Sequence, residues 1–186
     1  MNEARTASAA HPASFLRRML GAAWLDAETY EEVEHDRSAT GQAALVVALS
    51  AIAAAIGTFE NHGAQGTLVY TLAALASWVL WAATVCWIGV RWLPHPQTES
   101  DLGELLRTLG FSSAPGILRV FGIVPGLAGP LFAITMLWML VAMVIAVRQA
   151  LDYCGTGRAI AVCAIGFPIY ALTLAVTLLL LGPWPI

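Results

Sequence analysis

The chain has 186 residues, of which 59% are hydrophobic and only 11% charged, with a mean hydropathy of +0.73. This composition excludes an ordinary soluble domain and belongs to the membrane class. The net charge is −3, every basic residue is an arginine, and no nucleic-acid partner is expected.

Residues 1–12 are rich in Ala and Ser without periodicity and read as disordered. The first forty or so residues are polar, so no cleavable signal peptide is expected. Over 14–24, Phe15, Leu16, Met19, Leu20, Ala23 and Trp24 recur at helical spacing, with Arg17 and Arg18 opposite. Such a helix suits the membrane interface, or it packs on the protein's own bundle. Asp26 is placed to cap an acidic helix over 26–36. There Glu31, Glu32 and His35 form a patch with ExxH spacing, and Tyr30 and Val33 turn inward. Metal sites in bundles draw such pairs from several facing helices, and this chain offers one, so a solvated acidic face competes with a metal role.

Residues 1–41 thus form an N-terminal region ahead of a membrane domain, 42–182. Five apolar segments follow, at 42–59, 67–92, 111–125, 127–148 and 159–182, before a short tail, 183–186. A span needs about 20 residues to cross about 30 Å of hydrocarbon. In the first, Ala44, Ala48, Ala51 and Ala55 make a small-residue face suited to close helix approach, in this chain or in a homo-oligomer. The second carries Trp78, Trp81 and Trp87 and ends on Arg91 and Trp92. Ser100 or Asp101 caps an amphipathic helix with Leu102, Leu105, Leu106 and Leu109 inward, and Glu104 and Arg107 outward.

The third segment is the anomaly. Pro115 interrupts it after Ser112 and Ser113, Pro125 ends it, and Arg119 sits in its apolar half. It reads as a thin, kinked span. Arg119 is expected to snorkel towards the inner surface, or to meet a lipid phosphate, Asp152 or Glu104. Ser112 and Ser113 are expected to satisfy backbone groups freed by Pro115. Gly122, Gly126 and Gly129 read as close packing or a tight outer turn, and Pro168 as a kink in the fifth segment.

With five spans every basic loop falls on one side, and by the positive-inside rule that side is cytoplasmic. This puts the N-terminus inside and the C-terminus outside. Four spans would place Arg148 and Arg158 outside. The expected fold class is therefore all-α: a polytopic membrane protein, a bundle of five transmembrane helices preceded by amphipathic helices.

The layout resembles the Yip family, membrane proteins that interact with Ypt/Rab GTPases. The motif that carries the resemblance is LGFSSAP, residues 109–115, in which Gly110, Phe111 and Pro115 stand for the family's aromatic and glycine before a proline entering the third span. The acidic stretch TYEEVEHDRSATGQA looks like the pre-span segment of prokaryotic members. Eukaryotic relatives imply roles in vesicle traffic, Rab recruitment and membrane shaping; for a prokaryotic member the resemblance supplies a fold more than a function.

No GxSxG, HExxH, GxxxxGK[ST] or GxGxxG motif occurs, and the spans hold no Asp, Glu, Lys or His away from their ends. Cys86, Cys154 and Cys163 lack ligand spacing. Glu60, Asn61 and His62 cluster at the outer end of the first span and read as a solvated turn or a weak cation site. Neither catalytic residues nor a cofactor or metal is expected. The sequence points to a non-enzymatic protein of the inner, bacterial cell membrane, a scaffold or accessory subunit acting on the lipid bilayer or a protein partner. The alternative is a component of a small-molecule or ion transporter, which a cavity lined by Ser77, Thr84, Tyr170, Thr173 and Thr177 would favour.

Overall fold

A computed structural model describes residues 14–57, 63–94 and 100–181. The polar start 1–12, the Glu60, Asn61 and His62 cluster, most of the loop after Pro94 and the tail 183–186 lie outside the described residues. The described residues form α1 (Phe15–Ala23), α2 (Ala27–His35), α3 (Ala39–Gly57), α4 (Gly63–Arg91), α5 (Leu102–Phe111), a 3-10 helix (Ala114–Ile123), α6 (Ala128–Ala150) and α7 (Thr156–Leu181). Four of these, α3, α4, α6 and α7, are long and apolar enough to cross a membrane.

The anomalous third segment is not an α-helical span. Residues 114–123 wind as a 3-10 helix. Pro115 has no N–H to give, and the pattern shifts one turn earlier, where Ser113 N donates to Gly110 O at 3.2 Å. Gly116 N then donates to Ser113 O at 2.9 Å. The shift strands the Leu109 carbonyl, and Ser112 Oγ donates to it at 2.8 Å. Ser112 thus covers a backbone group freed by the change of winding, not by the proline directly. At about 2.0 Å per residue the ten residues cover about 20 Å, against about 15 Å for an α-helix of equal length.

That stretch lets the segment run parallel to α3 along its length. A Cβ on Gly110 would lie 2.6 Å from Ala43 Cβ, one on Gly116 would strike Ser50 Oγ, and one on Gly122 would lie 2.5 Å from Gly57 O. Three glycines six residues apart, the last two separated by two 3-10 turns, thus meet Ala43, Ser50 and Gly57, which are seven apart, two α turns. The close-approach face is this set. Ala51 of the expected small-residue face is buried, whereas Ala44, Ala48 and Ala55 are half-buried flank positions.

The contact also corrects the expected depth of Arg119. Its carbonyl abuts Gly57, the last residue of α3, so it lies level with the end of α3 remote from Ala43. The other charged ends gather near the start of α3. Leu151, after α6, packs on Gly89 of α4. Tyr153 Oη donates to Leu93 O at 2.8 Å, and Arg158 Nη1 donates to Pro94 O at 3.2 Å. Arg91 and Arg148 close α4 and α6 at the same end. The principal core lies there too, around Tyr30, Ile88, Leu105, Phe111 and Leu151. Large apolar side chains elsewhere face outward, Leu137 and Leu172 both at 66% exposure, as a bilayer requires and water would not tolerate.

Two turns use left-handed residues that are not glycine. Leu25 (φ 65°) follows α1, and Asp152 (φ 50°) follows α6. Around Leu25, Leu25 N donates to Ala22 O at 3.1 Å and Asp26 N to Gly21 O at 3.0 Å, a Schellman pair. Asp152 N to Gln149 O and Tyr153 N to Arg148 O repeat it after α6.

Candidate functional site

Two regions gather the polar side chains. The first joins the N-terminal helices to the bundle. Asp101 caps α5 in a full capping box, its Oδ1 accepting from Glu104 N at 2.9 Å while Glu104 Oε2 accepts from Asp101 N at 3.0 Å. That fixes the phase of α5 and turns Arg107 into the protein, not outward as expected: it is only 5% exposed. Arg107 Nε donates to Val33 O at 3.0 Å and Glu34 O at 2.8 Å, and Nη2 also reaches Glu34 O. These carbonyls belong to the last turn of α2, which has no intrahelical donor for them, and the guanidinium also meets the negative end of the helix dipole.

The neighbouring helix is held in a similar way. Arg18, 2% exposed and not on an outer polar face, pairs with Glu32 at 2.9 Å and Asp36 at 2.8 Å. The apolar residues of α1 divide: Phe15, Met19 and Ala23 pack on the core, while Leu16, Leu20 and Trp24 point outward. Trp138, halfway along α6, donates Nε1 to Ala23 O at 2.8 Å, so α1 lies against the side of the bundle. One half of the apolar face of α1 thus packs on the bundle, and the other half lies exposed. Asp26 receives the Thr29 hydroxyl at 2.6 Å in place of a backbone N–H.

In the acidic patch, Glu32 accepts from Arg18, His35 Nδ1 lies 2.9 Å from Glu31 O, and Glu31 is exposed. The carbonyl contact raises the His35 pKa. No three His, Cys, Asp or Glu side chains among the described residues converge as a metal site. Glu34 is the perturbed member: burial, then the charges of Asp152 and Glu104, push its carboxyl up to about 7.

The second region is a cavity of about 370 Å³ within the helices. Its walls include Ser50 from α3, Trp81 from α4, Ser112 beside the proline, Arg119, Met139 from α6 and Tyr170 from α7. The 3-10 helix positions Arg119, whose Nε donates to Thr135 Oγ1 at 2.9 Å while its guanidinium lies 4.5 Å from the centre of the Phe132 ring. Neither Asp152 nor Glu104 pairs with it. Trp81 stacks edge-on against Tyr170, centroids 5.5 Å apart, and its buried Nε1 has no acceptor among the described residues.

The motif residues thus separate. Gly110 gives α3 its approach, Phe111 is fully buried, Pro115 starts the 3-10 helix, Arg119 lines the cavity, and Pro125 lies exposed in the turn containing Gly126 (φ 84°). Of the polar residues expected in a cavity, Ser77 and Tyr170 line it. Thr84 and Thr173 donate to their own helix at Leu80 O and Ile169 O, and the Thr177 side chain lies outside the described ones. Thr135, Trp138 and the Met136, Met139 and Met143 stripe carry no motif. The one available signal is the α6 helical period, which places the methionines on one side.

Compared with protein families, the chain matches the Yip1 domain over residues 10–179. Neither the curated proteins nor the solved structures hold a match to it.

Proposed function

The chain belongs to the Yip1 domain family, and from that premise we propose that it is a non-enzymatic scaffold or accessory subunit of a membrane. The family match together with the apolar helices places it in a membrane-associated role. The observation that carries the scaffold reading is the clamp of Arg107 on α2. It turns a short, highly charged helix into a rigid platform with Glu28, Glu31, His35 and Arg37 exposed. A platform of this kind needs no further folding before it meets a protein partner, which lowers the ordering cost of association.

In the proposed topology the end bearing Arg91, Arg107, Arg148 and Arg158 is cytoplasmic, by the positive-inside rule. Residues 42–182 then make five passes of an inner, bacterial cell membrane, the C-terminus emerging outside. A reporter fused to the C-terminus is expected to be active outside; activity confined to the cytoplasm would refute the five-pass assignment.

The scaffold reading is tested by crosslinking from positions 28, 31 and 37 in native membranes, followed by purification. A discrete heteromeric complex, lost when α2 is released by Arg107→Met, supports it. Recovery only as a lipid-filled homo-oligomer counts against it. The 370 Å³ cavity favours a second reading, as a component of a small-molecule or ion transporter. Substrate-dependent flux through reconstituted proteoliposomes would select that reading.

A further inference from the structure

Arg119 presents an electrostatic problem that the described residues leave half-solved. A guanidinium in the apolar part of a bundle is expensive unless its charge and its five N–H donors are met. Thr135 Oγ1 takes the Nε donor, and the Phe132 ring covers one face of the plane. Among the described residues the two terminal amino groups make no hydrogen bond, and no carboxylate pairs with Arg119. A second donor, Trp81 Nε1, is buried in the wall of the same cavity without an acceptor.

The cavity has two chemical ends. One, beside Thr135 and Tyr70, holds the Arg119 guanidinium and wants oxygen acceptors with negative charge. The rest of the wall is mostly apolar, with Met136, Met139 and Met143 from one side of α6, Ala74 from α4 and Phe167 from α7 beside the hydroxyls of Ser50 and Ser77. Unbranched thioethers adapt to a flexible chain better than branched side chains do. The volume, about 370 Å³, lies within the usual range of ligand pockets. Thr135 is seven residues into α6, so the guanidinium lies only about 10 Å below that helix's first turn, within reach of a headgroup.

We propose that this cavity binds one anionic phospholipid from the leaflet at the far end of the bundle, its phosphate on the terminal amino groups of Arg119 and one acyl chain along the α6 methionines. A free anion would account for the arginine and leave the apolar lumen unfilled. A neutral lipid would fill the lumen and leave the charge unmet. An anionic amphiphile satisfies both. The proposal rests on the membrane assignment but not on the scaffold reading: loss of lipid here would leave the crosslinks from α2 intact.

The test uses the full chain, purified in mild detergent, delipidated, and titrated with dioleoyl phosphatidylglycerol or dioleoyl phosphatidylcholine under native mass spectrometry. One phosphatidylglycerol should be retained with about tenfold or greater preference, as for a charge-assisted hydrogen bond. Arg119→Gln should remove the preference. Ala74→Phe, which fills the lumen and leaves the arginine in place, should weaken phosphatidylglycerol binding, and millimolar inorganic phosphate should not displace the lipid. Equal retention of both lipids by the wild-type chain would overturn the proposal, as would a preference that survives Arg119→Gln. Displacement by inorganic phosphate would leave an anion site without the acyl subsite and overturn it too. Should Arg119→Gln not fold, Ala74→Phe decides: unchanged phosphatidylglycerol binding there refutes the site.

Discussion

Replacing Arg107 with methionine keeps much of the side chain's bulk and removes all of its donors. Two buried carbonyls, Val33 O and Glu34 O, then lose their partner at 2.8–3.0 Å. Each unsatisfied carbonyl costs about 1–3 kcal/mol, so the pair costs ~2–6 kcal/mol. Relief from burying a guanidinium offsets part of that, leaving ~3 kcal/mol. The loss falls on the docking of α2 and not on the whole bundle, because four long helices pack without it. At 1.4 kcal/mol per tenfold, amide hydrogen exchange across residues 30–36 should accelerate about 10²-fold in nanodiscs. Arg107→Lys, with one compact charge and no fork, should fall between the two. Unchanged exchange in α2 of the Arg107→Met protein would refute the clamp, and equal acceleration in α6 would show that the bundle, not the docking, depends on it.

At Gly116 any Cβ meets Ser50 Oγ, so Gly116→Val should overpack the α3 contact by about 1–3 kcal/mol and lower the thermal midpoint in detergent, while Gly129→Ala, with open space around it, should leave the midpoint unchanged. Leu25 adopts φ 65° in the turn after α1, and Leu25→Gly should raise the midpoint by relieving about 1 kcal/mol of left-handed strain, provided the change is monitored on the α1 and α2 docking. Glu34 has its folded pKa raised from 4.5 to about 7, so its carboxyl prefers the protonated, folded form. Its contribution to docking is full below pH 4.5 and lost as pH rises through about 7, where the folded protein must hold a charge it disfavours. Exchange protection of α2 should therefore fall across that window in the wild type and stay level in Glu34→Gln.

Much of the fold was legible because a bilayer imposes simple rules. Length and hydropathy place α3, α4, α6 and α7 close to their observed ranges, and the capping box at Asp101 is a local signal that needs no tertiary contact. The misreadings concern arginines. A helical wheel assigns Arg18 and Arg107 to outer faces because it knows nothing of the element that will cover them. Both are buried, one by the carboxylates of Glu32 and Asp36, the other by the carbonyl end of α2. The small-residue face of α3 was placed on its flank for a related reason. Ala44, Ala48, Ala51 and Ala55 look like a contact stripe only while the partner's period is unknown. The cavity was half legible: Ser77 and Tyr170 were nameable, whereas Thr84 and Thr173 satisfy their own helices, as membrane threonines often do.

The winding of residues 114–123 links these points to the cavity. A helix that rises about 2.0 Å per residue covers 20 Å with ten side chains, where an α-helix would bring about thirteen. It therefore supplies fewer side chains to fill the interior over the same depth. Gly116 and Gly122 bring its backbone close to α3, and the shortfall in volume falls beside that contact, where Ser50 and Ala54 of α3 line the cavity. There Ser112 and Ser113, just before the 3-10 helix, and Arg119 within it border the open space together with α4, α6 and α7. On this argument the cavity is a consequence of Pro115 and its glycine register, not of an unusually poor choice of core residues. The break carrying the family motif and the hole beside it are one feature, and the proline that changes the winding is what leaves the room.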